Sequence, residues 1–136
     1  MIKPIIKDRF LLGQKARAAT AADAQIAQDL LDTLQAHRED CVGMAANMIG
    51  YPVRMIVFHI GGAPMLMYNP EIIKAEKPFE TEEGCLSLDG VRKTTRYETI
   101  QVRFQNEKMQ VRQKNYSEWT AQIIQHEIDH CNGILI

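Results

Sequence analysis

Apolar residues recur at helical spacing in a segment near the start of the chain. Ile26, Leu30 and Leu34 each stand four residues apart, and the hydroxyl residue Thr20 stands just before them. A hydroxyl side chain in that position can accept a hydrogen bond from a free backbone N–H group at the start of a helix. The pattern predicts a helix from about residue 21 to about residue 37.

A second helical segment closes the chain. Ile123, Ile124 and Ile128 form its apolar face. Ser117 is placed to cap its first turn, and Gly133 is a usual residue for its end. We therefore expect a C-terminal helix between these two residues.

Between the two helices the pattern changes to that of β-strands. The run VRMIVFHI (53–60) is rich in β-branched residues and predicts a buried strand, which the glycine pair 61–62 would turn back as a hairpin. The run 97–104 alternates polar and apolar residues, and a turn at 106–108 would return it through MQVRQKN. Two helices and several strands in mixed order predict an α+β fold dominated by antiparallel sheet.

Length and charge narrow the class of protein. The 136 residues are expected to form a single domain, 1–136. With 16 basic and 17 acidic residues, the chain has no excess of positive charge to attract nucleic acid. No apolar run approaches the length of a membrane span, and the three cysteines do not form an even disulfide set. We expect a cytoplasmic protein.

The strongest chemical signal is HEIDH, at residues 126–130. His126 and His130 lie four apart on the predicted helix, so both imidazoles share one face and can bind one metal ion. Glu127 is placed to act on a water molecule beside that metal. The alternative is a solvated helix face, but the neighbouring Ile124 favours a partly buried site.

The third metal ligand is expected from upstream. Only CNGILI follows His130, and Cys131 and Asn132 lie too close on the same helix to converge with it. The upstream candidates are His37, Cys41, His59 and Cys85. Cys85 is favoured because the preceding Gly84 lets the backbone approach closely. A thiolate with two imidazoles leaves a fourth position open, as catalytic metal sites do.

Three segments, in this order, resemble the motifs of peptide deformylases: GMAA (43–46), EGCLS (83–87) and HEIDH (126–130). The resemblance covers roughly residues 41–136. It implies antiparallel β-sheets packed around a central C-terminal metal-binding helix, with an N-terminal helix. It also implies a metal-dependent hydrolase that removes the N-formyl group from the N-terminal methionine of newly made polypeptides.

The resemblance assigns roles to individual residues. Cys85, His126 and His130 would hold one divalent metal ion, Fe²⁺ in the cell, with Zn²⁺ or Ni²⁺ as substitutes in a crystal. Glu127 would act as general base and then as general acid. The backbone N–H of Leu86 would donate a hydrogen bond to the developing oxyanion.

The substrate would contact the first motif. Gly43 would bind the substrate backbone, and Met44 would line the pocket for the methionine side chain, near Ile123 and Ile124. Glu83 would pair with a basic residue, either Arg96 or Arg92, and so hold the cysteine loop.

The first motif departs from the family pattern Gly-x-Gly-x-Ala-Ala-x-Gln at both ends. Cys41 replaces the first glycine, and Met48 replaces the glutamine whose side chain donates to the oxyanion. A thioether donates no hydrogen bond, and loss of one such donor costs about 10²–10³ in rate. Reduced activity is therefore expected, unless the amide of the neighbouring Asn47 partly replaces the donor.

Two other functions remain open at this point. The chain could be a deformylase-like metal-binding protein that binds formyl-Met peptides or related ligands without efficient hydrolysis. It could also be a metal amidase for another acylated amine. If the chain is an active deformylase, N-formyl-methionyl peptides are its expected partners. The ribosome is a further partner, although no segment after Ile136 provides for its docking.

Overall fold

The computed structural model describes residues 1–136, and an antiparallel sheet dominates it. The five strands are β1 (Gly43–Ala45), β2 (Met55–Ile60), β3 (Ala63–Cys85), β4 (Leu88–Gln105) and β5 (Val111–Ser117). They pair in chain order, each antiparallel to the next. The predicted α+β class is confirmed, with one sheet in place of several. None of the helices could span a membrane.

Three α-helices complete the fold: α1 (Arg9–Leu12), α2 (Ala24–Ala36) and α3 (Glu118–Cys131). A 3₁₀ turn, Ala21–Asp23, leads into α2. Thr20 caps it as predicted, because its side chain accepts from the backbone N–H of Ala22 at 3.2 Å. Its own backbone N–H donates to Asp23 at 2.8 Å, which completes a capping box.

The two hairpins expected from the sequence are present. Gly61 and Gly62, with φ of 56° and 84°, form the tight turn between β2 and β3; positive φ at both positions matches the twist of the strands. At the second turn, between β4 and β5, the Asn106 side chain accepts from the backbone N–H groups of Lys108 and Gln110, each at 3.0 Å.

A third hairpin was not predicted from the sequence. β3 and β4 pair along most of their length, and Cys85 lies opposite Leu88 at their joining turn. Most side chains of this part of β3 are exposed or half-buried, so the segment lacks the apolar alternation that identifies a strand. Its consequence for the site is direct, because the turn presents Cys85 at the end of a paired strand.

Helix α3 packs across the sheet, against β1, β2 and β4. Ile123, Ile124 and Ile128 are buried in the core, as expected. Ser117 occupies the N-cap position, but its side chain makes no capping hydrogen bond, so that part of the prediction is wrong. Gly133 follows the helix with φ of 75°, as a C-terminal glycine does.

We predict that Gly133→Ala destabilises the fold far more than Gly62→Ala. Both glycines have positive φ, so both variants carry backbone strain of about 1–2 kcal/mol. A Cβ on Gly133 would also lie 2.6 Å from the backbone oxygen of Gly13, whereas one on Gly62 meets no atom within 4 Å. The additional clash should cost about 1–3 kcal/mol. Urea unfolding of both variants measures the difference, and equal losses would contradict the packing described.

Candidate active site

Three side chains from two elements converge at the end of β3. Successive turns of α3 carry His126 and His130, whose Nε2 atoms lie 3.2 Å apart. The Sγ of Cys85 lies 3.3 Å from the Nε2 of His130. The three donor atoms all lie within 4.8 Å of one another. Of the four upstream candidates, only Cys85 joins the two histidines in this cluster.

The size of this cluster fits a metal ion. A tetrahedral site with usual metal–nitrogen and metal–sulfur bonds has edges of about 3.3 Å between two nitrogens and about 3.6 Å between nitrogen and sulfur. The observed separations of 3.2 Å and 3.3 Å are close to these edges. One thiol and two imidazoles are also a donor set that divalent transition metals accept. The three residues present therefore fit a divalent metal.

A buried carboxylate orients one of the histidines. The Nδ1 of His126 lies 2.9 Å from Oε1 of Glu83. A carboxylate only accepts hydrogen bonds, so Nδ1 is the donor to Glu83 and Nε2 faces the metal side of the cluster. Such a carboxylate–histidine pair is the usual way in which a protein fixes a metal-binding imidazole.

Glu83 is itself held by two other donors. Arg96 donates to it from Nε at 3.0 Å and from Nη2 at 2.6 Å, and Gln122 donates at 2.8 Å. Arg96 also donates to Asp129 at 2.6 Å. Of the two expected partners of Glu83, the structure thus selects Arg96 and not Arg92.

Gln122 and Asp129 were not expected at the site from the sequence. Gln122 stands four residues before His126, so helical spacing could have placed it beside the same carboxylate. Asp129 lies within HEIDH, but nothing local indicates its pairing with Arg96 on β4.

Burial and hydrogen bonds set the charges of Glu83 and the two histidines. Burial would raise the pKa of Glu83, but hydrogen bonds from His126, Arg96 and Gln122 lower it to about 2. Burial likewise opposes the charge on His126, yet hydrogen bonds to Cys85 and Glu83 raise its pKa to about 10. Burial and the neighbouring charge of His126 lower the pKa of His130 to about 3. Without a metal ion, His126 therefore carries a positive charge near neutral pH and His130 is neutral.

Glu127 lies beside this cluster with a different environment. It is 5% exposed, and its Oε1 has no hydrogen-bond partner in the protein. Burial raises the pKa of Glu127 to about 7, although the positive charge of His126 opposes the shift. A carboxyl group with this pKa can both accept and release a proton near neutral pH.

A cleft of about 460 Å³ opens over the cluster. Six of the residues expected at the site line it, namely Gly43, Met48, Cys85, Leu86, His126 and Glu127. The backbone at Gly43 approaches α3 so closely that an added Cβ would lie 2.8 Å from Ile123 and 3.0 Å from the Glu127 carboxylate. The wall of the cleft at this point has no space for a larger residue.

Met44 does not line the cleft. It follows Gly43 on β1, so its side chain points to the opposite face of the strand. It is fully buried among the core residues. Ile124 is also in the core, and of the two isoleucines expected near the methionine pocket only Ile123 lines the cleft.

Adjacent residues of the first-motif loop have different contacts. Met48 is buried in the core with 1% of its surface exposed, yet it also lines the cleft, and its Sδ accepts the backbone N–H of Ala45 at 3.5 Å. Asn47 is buried, and its amide donates to the backbone oxygen of His130 at 2.8 Å. The alternative left open by the sequence, in which the amide of Asn47 partly replaces the missing donor in the cleft, is therefore not supported.

Cys41 and Trp119 also line the cleft. Cys41 is half-buried, and its thiol donates to the backbone oxygen of Gly43 at 2.8 Å. Burial raises the pKa of Cys41 to about 12, so the thiol stays protonated. Trp119 stands at the mouth with 59% of its surface exposed.

We predict that Arg96→Met destabilises the protein by about 3–5 kcal/mol, because it leaves the buried Glu83 without its counter-charge. Arg103→Met is the matched control, since it removes an exposed pair with Glu71 from the same strand and should cost at most about 1 kcal/mol. Urea unfolding of the metal-free proteins at pH 7 measures both.

The ion pair of Arg96 and Glu83 should also make the stability of the protein depend on pH. The pKa of Glu83 is about 2 in the fold against about 4.5 ordinarily, so its contribution is present above pH 4.5 and lost as the pH falls towards 2. The difference between the wild type and Arg96→Met should therefore narrow at pH 3. A difference that is equal at both pH values would contradict this assignment.

Comparison with known proteins identifies the family. A sequence model of the polypeptide deformylase family matches residues 3–136. A peptide deformylase of Clostridium beijerinckii is 54% identical over 136 residues, which is the full length of both chains. The crystal structure of peptide deformylase from Thermotoga maritima superposes with a TM-score of 0.89 at 28% identity, covering 99% of this chain and 95% of that one.

A second solved structure is similar over the same extent. It is the Met-Ala-Ser-bound peptide deformylase of Acinetobacter baumannii, with a TM-score of 0.88 and 26% identity, covering 99% of this chain and 97% of that one. Sequence and fold agree along nearly all 136 residues. The chain belongs to the peptide deformylase family.

Proposed function

We propose that this deformylase removes the N-formyl group of formyl-methionyl polypeptides with Cys85, His126 and His130 as the ligands of one Fe²⁺ ion. The observation that carries the proposal is the position of Glu127, a buried carboxylate beside a cysteine–histidine cluster at the wall of an open cleft. Iron follows from the family resemblance, because a thiolate with two imidazoles also accepts Zn²⁺ or Ni²⁺.

The chemistry divides between the metal and the chain. When bound, the metal supplies Lewis-acid chemistry, since it polarises the formyl carbonyl and lowers the pKa of a water molecule towards about 7. Glu127 takes a proton from the attacking water and delivers it to the methionine nitrogen. The bond between that nitrogen and the formyl carbon breaks, and the products are formate and a free amino terminus.

The surrounding residues bind the substrate and its developing charge. The backbone N–H of Leu86 donates to the oxyanion, and Gly43 lets the peptide backbone lie close to Glu127. The Met-Ala-Ser peptide bound to the Acinetobacter protein supports a cleft that takes a peptide with an N-terminal methionine. Ile123 contributes apolar surface for that methionine side chain.

We expect the proposed enzyme to be slow because of Met48. It occupies the loop position from which a glutamine amide would donate to the oxyanion, and it has no donor to offer. The three proposed metal ligands and Glu127 are all present at the cleft, which is why hydrolysis is favoured over binding without turnover. Newly made formyl-methionyl chains are the proposed substrates, with the cytoplasm as the place of action and the ribosome as the source of the chains.

We predict that Glu127→Gln lowers formate release from a formyl-Met peptide by at least about 10²-fold, because the amide cannot move the proton. Metal content, measured on the purified protein, should stay at the wild-type level. Glu118→Gln is the control, since this exposed residue lies on the same helix away from the cluster. Turnover that survives in Glu127→Gln would remove Glu127 from the mechanism.

We also predict that Met48→Gln raises kcat by up to about 10²–10³-fold, because it restores an oxyanion donor. KM should change little, since the new hydrogen bond strengthens in the transition state. Met48→Leu, which is similar in size and has no donor, should stay at the wild-type rate. If the glutamine variant is no faster than the leucine variant, Met48 does not face the reacting carbonyl.

A further inference from the structure

The side-chain amide of Asn47 connects the first-motif loop to the helix that carries the two histidines. Asn47 belongs to the 3₁₀ turn Ala46–Ile49 and is 4% exposed. Its Nδ2 donates to the backbone oxygen of His130 at 2.8 Å. This hydrogen bond joins residues 83 positions apart in the sequence.

The carbonyl that Asn47 contacts lacks its regular partner in the helix. In a continuing helix the N–H of Ile134 would donate to the oxygen of His130, but it donates to Asp129 instead, at 2.9 Å. The remaining backbone donor to His130 is Gly133, at 3.0 Å. Asn47 therefore helps to fix the last turn of α3, at the residue that contributes a histidine to the cluster.

The two histidines are held in different ways. His126 has Glu83 on its Nδ1, as metal-binding histidines usually have. His130 is fully buried, and its Nδ1 has no hydrogen-bond partner in the protein. No polar side chain holds its ring at Nδ1, so the position of its backbone matters more for the position of Nε2.

The loop end of this connection is also fixed. The backbone N–H of Ile6 donates to the oxygen of Met48 at 2.7 Å, and that of Tyr51 donates to Ala46 at 3.1 Å. The 3₁₀ turn is therefore held on both sides of Asn47. A hydrogen bond from such a turn can restrict the residue that receives it.

We propose that Asn47 is a positioning residue for His130, which sets the place of its imidazole in the metal cluster through the backbone. The proposal rests on the proposed function only in taking His130 as a metal ligand. In this proposal Asn47 acts on helix α3, whereas its neighbour Met48 lines the cleft.

The test compares Co²⁺ affinity and spectra in variants of the full chain. Asn47→Leu removes the donor at nearly constant size, and competition with a chelator should show Co²⁺ binding about 10–100-fold weaker than in the wild type. The visible absorption of bound Co²⁺, which reports the ligand arrangement, should also change. Asn69→Leu is the control, because Asn69 makes three side-chain hydrogen bonds to Ala19 and Gln105 and none to the cluster.

The results for the two variants decide whether Asn47 positions His130. Wild-type affinity and spectrum in a folded Asn47→Leu protein would overturn the proposal, as would an equal loss of affinity in Asn69→Leu. If Asn47→Leu does not fold, Asn47→Ala, which demands less volume, is read by the same two criteria. Formate release by the wild type is measured separately, so a failure of the deformylase function leaves the Co²⁺ comparison intact.

Discussion

The buried carboxylate of Glu83 is the interaction on which the rest of the site depends. A carboxylate without hydrogen bonds would be costly in this position, but Arg96, Gln122 and His126 all donate to it. These donors come from β4 and α3, while Glu83 belongs to β3. One side chain therefore joins three elements and fixes a histidine. Because Glu83 stands two residues before Cys85, it also fixes the strand end that carries the thiol.

The first-motif loop contributes from the other side of the cleft. Its tight contact with α3 requires Gly43, since any side chain there would meet Ile123 and Glu127. Its next turn directs Asn47 into the protein and Met48 into the cleft. The proposed metal ligands and the proposed proton carrier thus lie together at the cleft, while Met48 offers no side-chain donor for the proposed oxyanion.

Much of this arrangement could be predicted from the sequence, because helical periodicity and the glycine turns are local signals. HEIDH on a helix predicted the approach of His126 and His130, and the scarcity of ligands after them led to Cys85. The β3–β4 hairpin could not be predicted, because the exposed residues in the second half of β3 lack the apolar alternation of a strand. The direction of Asn47 was also beyond the sequence, since it depends on a carbonyl 83 positions away. Met44 was misplaced because its motif neighbours gave no information on which face of β1 would meet the cleft.

Formate release from formyl-Met-Ala-Ser with the Fe²⁺-loaded wild type under anaerobic conditions is the most direct test of the proposed function. We expect slow, continuous release that exceeds the metal concentration over time and requires one metal ion per chain. Binding of the peptide without any release above that of buffer would contradict it. In that case the cluster, the cleft and Glu127 would serve recognition of the peptide and not its hydrolysis.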